Sequence, residues 1–283
     1  MNNKVFKFFT TWPIIIYVFL FIAFPIIYIL YLSFLTSDYY GGMLNIFTFS
    51  NYLNFFNFVY IKVFFKSFLI AGISTFLCMV ISYPFVIFIS QKSKKVKSFL
   101  MTFVMVPFLT NSLIRTYGWI VLLRKSGIIN TFLQDMNIIS TPISFIYNNF
   151  GIILGMVYTL LPFMILPLFS AVDKIDHYVL EASRDLGASN MQTFFKIIVP
   201  QTKTALFNGS IMVFIPAIGY FFIADLLGGG KFMLIGNLIK NQFLVARNWP
   251  FGAAISIVLL IITFIIIRIY QKIGGSLDDL GGF

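Results

Sequence analysis

This 283-residue chain is poor in every residue that most catalytic and soluble proteins depend on. It has one cysteine, Cys78, in an apolar run. That excludes an intrachain disulfide and any site built from several thiolates. It has one histidine, His177, close to Asp173 and Asp176. A structural metal wants about four ligands, so these residues are read as a solvated loop with no metal site. Only nine residues are Asp or Glu, and only 10% of the chain is charged. A soluble domain carries about 25%. A water-facing surface is therefore excluded, as is a spread of acidic residues relaying protons through a membrane.

What fills the chain instead is apolar. Hydrophobic residues make up 59% of it, and the mean hydropathy is +0.94. The expected class is all-α, a polytopic membrane protein. A spanning helix needs about 20 largely apolar residues, and six segments qualify: 12–35, 64–90, 99–123, 149–171, 204–226 and 251–270. The first follows Lys4 and Lys7 but far outruns the roughly 7–15 residues of a signal-peptide core. It is read as an uncleaved spanning helix. Short apolar runs in 36–63 and 226–250 are read as interfacial or re-entrant pieces. The length suits one transmembrane domain, residues 1–283, with no large soluble domain.

The net charge of +11 is explained by loops, not by nucleic acid. With the N-terminus inside, twelve of the 20 basic residues fall on the cytoplasmic side, led by Lys92, Lys94, Lys95 and Lys97. The positive-inside rule then places both termini and the 172–203 loop in the cytoplasm. Within the spans, Gly151 and Gly155 form a small-xxx-small pair, whose ordinary meaning is close helix packing. Gly228-Gly229-Gly230-Lys231 lacks the Ser/Thr and first Gly of a phosphate-binding loop and is read as an outer turn.

The 172–203 loop is the main polar interruption. Tyr178 to Leu186 reads as a short amphipathic helix, which Gly187 ends in a left-handed conformation. Ser189 is placed to cap a second helix to Val199, and Pro200 is expected to separate that helix from the fifth span. Two short helices joined by glycine make a knob suited to a groove on a soluble partner.

The spacing Glu181-Ala182-Ser183, three residues, Gly187, nine residues, Ile197, one residue, Val199-Pro200 resembles the EAA loop of ATP-binding-cassette importer permeases. Ser183 and Val199 are its two small departures from the family pattern. Further stretches, among them Asn111 to Gly118, Leu161 to Met164, Asp225 to Gly229, Leu234 to Asn237 and Asn248 to Ala254, resemble the spermidine/putrescine permeases, B type, over residues 99–270. This resemblance implies a six-helix type I importer permease fold with cytoplasmic coupling helices. It implies a second homologous permease, two ATPase subunits that use ATP and Mg, and an extracytoplasmic polyamine-binding protein. No cofactor is expected on this chain, and it is expected not to be an enzyme. Glu181, Ala182, Ser183, Gly187, Ile197 and Pro200 become the ATPase-coupling positions.

A polyamine path wants carboxylates and aromatic faces. Deep in the predicted spans stand Arg115 and Asp225, and an intramembrane charge is costly enough to suggest function. Asp225 with Tyr220 and Phe221 is the candidate path lining; the alternative is that Asp225 pairs with Arg115. Tyr117 and Trp119 are read as belt aromatics. Competing classes are an importer permease for another small organic ion, an ATP-independent channel or secondary transporter, and a membrane enzyme.

Overall fold

The computed structural model describes residues 3–230 and 232–272, with side chains from residue 11 onward. Lys231, the side chains of Lys4 and Lys7, and the Gly-rich end from Gly274 to Phe283 lie outside the described residues. Along the chain run α1 (Asn3–Val18), a π-helical turn (Phe19–Ala23), α2 (Phe24–Ser33), β1 (Leu35–Thr36), β2 (Leu44–Phe47) and α3 (Ser50–Phe55). Then come α4 (Phe58–Ser90), α5 (Lys94–Leu109), α6 (Ser112–Leu123), α7 (Ile128–Asp135) and α8 (Asn149–Val172). The order closes with α9 (His177–Asp185), α10 (Asn190–Thr193), a second π turn (Phe194–Ile198), α11 (Val199–Gly219), α12 (Phe221–Gly228), α13 (Ile235–Leu244) and α14 (Trp249–Lys272). Among the described residues the fold is helical, as expected, apart from one short antiparallel hairpin that pairs Leu35 with Phe47.

Among the described residues, four helical stretches are by themselves long and apolar enough to cross a membrane: Thr11–Ser33, Phe58–Ser90, Asn149–Val172 and Trp249–Lys272. The third and fifth expected spans are not single rods. Lys94–Leu109 and Ser112–Asp135 meet at 96°, and Asn190–Gly219 and Phe221–Gly228 meet at 64°. Each break has a local cause. At the first, Thr110 and Asn111 leave the helical region, with ψ of 157° and 124°. The Asn111 carboxamide accepts the Leu113 N–H at 2.8 Å, so the chain stops one helix and caps the next. At the second, Tyr220 has ψ of 88°. Apolar composition does not register either event, because both sides of each break stay apolar.

The chain falls into two compact units: the described residues up to Lys62 with Leu238–Phe264, and Val63–Asn237 with the described residues from Ile265. In the first, Leu32, Leu35 and Ala253 form a small core with Ile29 and Phe243 against it. Asn51, buried, donates to the carbonyls of Ser33 and Leu35 at 3.0 and 2.8 Å. It thereby serves backbone acceptors that the hairpin leaves open.

In the second unit, Ile152, Met156, Leu160, Met164 and Leu168 are fully buried, one per turn along α8. They share a face because positions four apart stack on an α-helix. This face packs on α11 and α12. The close approach depends on glycine: a Cβ on Gly155 would lie 2.4 Å from Leu227 Cδ1 and 3.0 Å from Ile223 Cγ2. The small-xxx-small pair is thus a packing motif, as expected. Gly72, by contrast, faces open space. Overpacking a tight site costs about 1–3 kcal/mol. Gly155→Ala is therefore expected to lower the melting temperature of the detergent-solubilised protein by several degrees, while Gly72→Ala leaves it within about one degree. A differential scanning fluorimetry comparison of the two variants checks this.

Candidate functional site

The loop after α8 folds as a built object. Asp176 caps α9 by accepting the Tyr178 N–H at 3.0 Å. Glu181 lies one turn beyond His177, with 3.4 Å between its carboxylate and the imidazole Nε2. Gly187, at φ +77°, ends the helix. Its N–H reaches the Arg184 carbonyl at 2.9 Å, and the Ala188 N–H reaches that of Ser183 at 3.0 Å. This double closure is the Schellman arrangement, which needs a left-handed residue where glycine stands. Ser189 and Gln192 then close a reciprocal capping box, the strongest local signal for a new helix start.

The two short helices are pinned together at their inner faces. The hydroxyls of Ser183 and Thr193, both buried, lie 3.0 Å apart. Open apolar side chains stand on the knob among exposed charges such as Glu181 and Asp185: Leu186 is 88% exposed, Tyr178 78%, Met191 65% and Phe195 60%. Under the knob lies a cleft of about 770 Å³, lined by Pro84 and Ile87 from α4 and by Leu180, Arg184 and Phe194 from the loop. At its edge Lys97 pairs with Asp173.

Contrary to the expectation from the sequence, Pro200 does not separate the second short helix from the fifth span. Helix continues from Asn190 to Gly219, with Pro200 in the first turn of α11. Proline lacks an N–H and crowds the carbonyl four residues back. The π turn Phe194–Ile198 immediately precedes it, and the Val199 N–H bonds back five residues to the Phe194 carbonyl. The widened turn accommodates the proline, and helix runs on through it.

The six loop positions thus have different settings. Glu181 and Ala182 are exposed on α9, Ser183 is buried against Thr193, and Gly187 makes the exposed turn. Ile197 is half-buried in the π turn and Pro200 is exposed at the start of α11. Thr193 was not singled out from the sequence, nor were the exposed Leu186 and Tyr178 as a surface. The mixed apolar and charged pattern of α9 carried that signal.

The second group sits at the α11–α12 break. Phe221 and Asp225 lie one turn apart on α12, on one face, with Asp225 half-buried. Tyr220 is the break residue itself and not part of a continuous helix. Its ring packs edge-on against Phe222 at 5.2 Å. Asn237, at the start of α13 and 3% exposed, donates to the Phe221 carbonyl at 2.9 Å and to the Asp225 carboxylate at 2.5 Å. Arg115 lies over the Tyr158 ring, 5.6 Å from its centroid, and Trp119 meets the same ring edge-on at 5.2 Å. Trp119 is half-buried beside it. The Arg115 Nε is buried without a hydrogen-bond partner. Among the described residues, no three His, Cys, Asp or Glu side chains gather as metal ligands. The Gly-rich turn closes α12, with Gly229 in the left-handed region at its C-cap.

The chain is similar over most of its length to known permeases. It is 45% identical to the spermidine/putrescine transport system permease protein PotB of Haemophilus influenzae, over 96% of this chain and 95% of that one. It is 44% identical to PotB of Escherichia coli, over 89% and 92%. Among solved structures, the fold matches a chain of a bacterial alginate ABC transporter, crystallised with an alginate pentasaccharide-bound periplasmic protein. The TM-score is 0.78 at 16% identity, covering 96% of this chain and 94% of that one. A chain of the inward-facing MetNI methionine ABC transporter matches at 0.55 and 18% identity, over 75% and 93%. The broken spans, the capped knob between α8 and α11 and the multi-pass apolar helices are the fold of an importer permease. The family described as binding-protein-dependent transport system inner membrane components matches residues 4–276, and the chain belongs to it.

Proposed function

We propose that this chain is one permease subunit of an ATP-binding-cassette importer that carries polyamines, spermidine and putrescine. The observation that carries this reading is the 45% identity to a spermidine/putrescine permease across nearly the whole of both chains. The folded knob at Glu181 to Ile198 supports it independently. The chain acts as a single transmembrane permease domain over residues 1–283. It pairs with a second homologous permease, two ATPase subunits and an extracytoplasmic polyamine-binding protein. It binds no cofactor; ATP and Mg are used by the ATPase subunits, so this chain is not itself an enzyme. Both termini and the 172–203 loop face the cytoplasm, since that orientation puts the Lys92–Lys97 cluster inside.

The coupling follows from the geometry. The open apolar side chains Tyr178, Leu186 and Met191 dock in a groove of the ATPase, as amphipathic helices do. Glu181 and Ala182 share the exposed helix that carries them. The Ser183–Thr193 pair keeps the two short helices one body, so a push on α9 reaches α10. From α10 the helix is unbroken to Gly219, about 45 Å at 1.5 Å per residue. Its far end is the break at Tyr220, next to Phe221 and Asp225. A movement begun at the ATPase therefore arrives where a carboxylate and aromatic rings can hold an ammonium group.

Two outcomes are expected. Leu186→Glu puts a charge on the docking face, where burial without a partner is costly; stimulation of the ATPase by loaded binding protein should fall at least about tenfold, with the folding of the purified permease unchanged. Retained stimulation would remove the knob from coupling. Asp225→Asn should cut ATP-driven spermidine uptake about tenfold or more while the complex still assembles on gel filtration, because losing one cation contact of about 1.4 kcal/mol is a tenfold effect. Lost assembly would instead make Asp225 a structural partner.

A further inference from the structure

We infer that Asn237 is a positioning residue for cargo: it fixes the Asp225 carboxylate and the neighbouring aromatic turn in the geometry that receives an ammonium group. The inference rests on Asp225 lining the path, as proposed above.

Asn237 is buried, and its carboxamide makes three bonds. The Nδ2 group donates to Phe221 O at 2.9 Å and to Asp225 Oδ1 at 2.5 Å. The Oδ1 atom accepts the Leu234 N–H at 3.3 Å. The two acceptors of the NH₂ group lie one turn apart on α12, so one side chain sets both the carboxylate and the backbone that carries the Phe221 ring. A carboxamide is the group that does this, having two donors on one nitrogen and an acceptor for its own loop. An apolar side chain would leave the carboxylate without this donor. A carboxylate there would set two like charges in contact.

The backbone of Asn237 is itself held. The Ile235 N–H donates to Ser67 Oγ on α4 at 2.8 Å. Gly236 lies against the Gly219 carbonyl, where a Cβ would come within 2.4 Å. The Leu234–Asn237 segment is thus wedged into the α11–α12 break, and the carboxylate is oriented before cargo arrives. Preorganisation of this kind acts on affinity, because less ordering is left to do on binding.

The test uses the complete importer in proteoliposomes and labelled spermidine over a range of concentrations. Asn237→Ala and the neutral, similarly shaped Asn237→Leu are compared with Asp225→Asn. Both Asn237 variants are expected to raise KM about tenfold, the loss of one charge-assisted bond, with Vmax within about twofold. The double variant Asp225→Asn/Asn237→Ala should be no worse than Asp225→Asn alone, since the two act through one group. If Asn237→Ala fails to assemble, Asn237→Leu, which keeps the shape without the donor, decides. An unchanged KM in Asn237→Leu beside an impaired Asp225→Asn overturns the inference and leaves the path reading standing. A fall in Vmax at constant KM assigns Asn237 a purely structural role and overturns it too. Normal uptake by Asp225→Asn removes the path reading, and the inference with it.

Discussion

Lipid offers a backbone amide no partner, so an intramembrane helix must close its hydrogen bonds on itself or find a neighbour that closes them. The second compact unit is organised by that constraint. Two of its apolar segments break, and a carboxamide bonds to the backbone beside each break. Asn111 caps the new helix after the 96° turn. After the 64° turn, Asn237 donates to the Phe221 carbonyl and so ties α13 to the first residue of α12. Between helices the packing is a matter of contact distance and not of hydrophobic driving force, because the surrounding tails are as apolar as leucine. Hence Gly151 and Gly155 face α12, and Gly209 meets Met164 and Pro167 of α8.

The same constraint explains why Pro200 can sit inside a long helix. A missing N–H is tolerated when the turn before it widens, and the Phe194–Ile198 π turn supplies that. The knob and the α11–α12 break are thereby the two ends of one continuous helix, the route that the proposed coupling takes. Ser183 and Thr193 stiffen the near end; Asn237, Gly236 and Ser67 brace the far end.

Much of this was legible in the sequence where one residue type has one physical meaning. Four of the six apolar segments, the Gly187 turn, the Ser189 cap and the Gly151–Gly155 contact follow from local rules and stand in the structure, while the third and fifth segments are bent helix pairs. The breaks at Thr110 and Tyr220 were not legible, because hydropathy averages over them. The course through Pro200 was misread, because proline alone does not reveal whether the preceding turn is α or π. The partners of buried polar groups lay furthest from reach. Asn237 meets Phe221 and Asp225 across 16 and 12 residues, and Thr193 meets Ser183 across ten. Such pairings are set by tertiary packing, which a single sequence does not display.

The central claim is that the chain moves polyamines by coupling its knob to ATP hydrolysis elsewhere in a complex. The direct measurement is concentrative uptake of labelled spermidine by proteoliposomes holding this permease, its partner permease, the ATPase subunits and the binding protein. The account predicts uptake against a gradient that needs ATP and stops when any one component is left out. A complex that assembles and hydrolyses ATP, yet leaves spermidine at the same level with and without ATP, would contradict it.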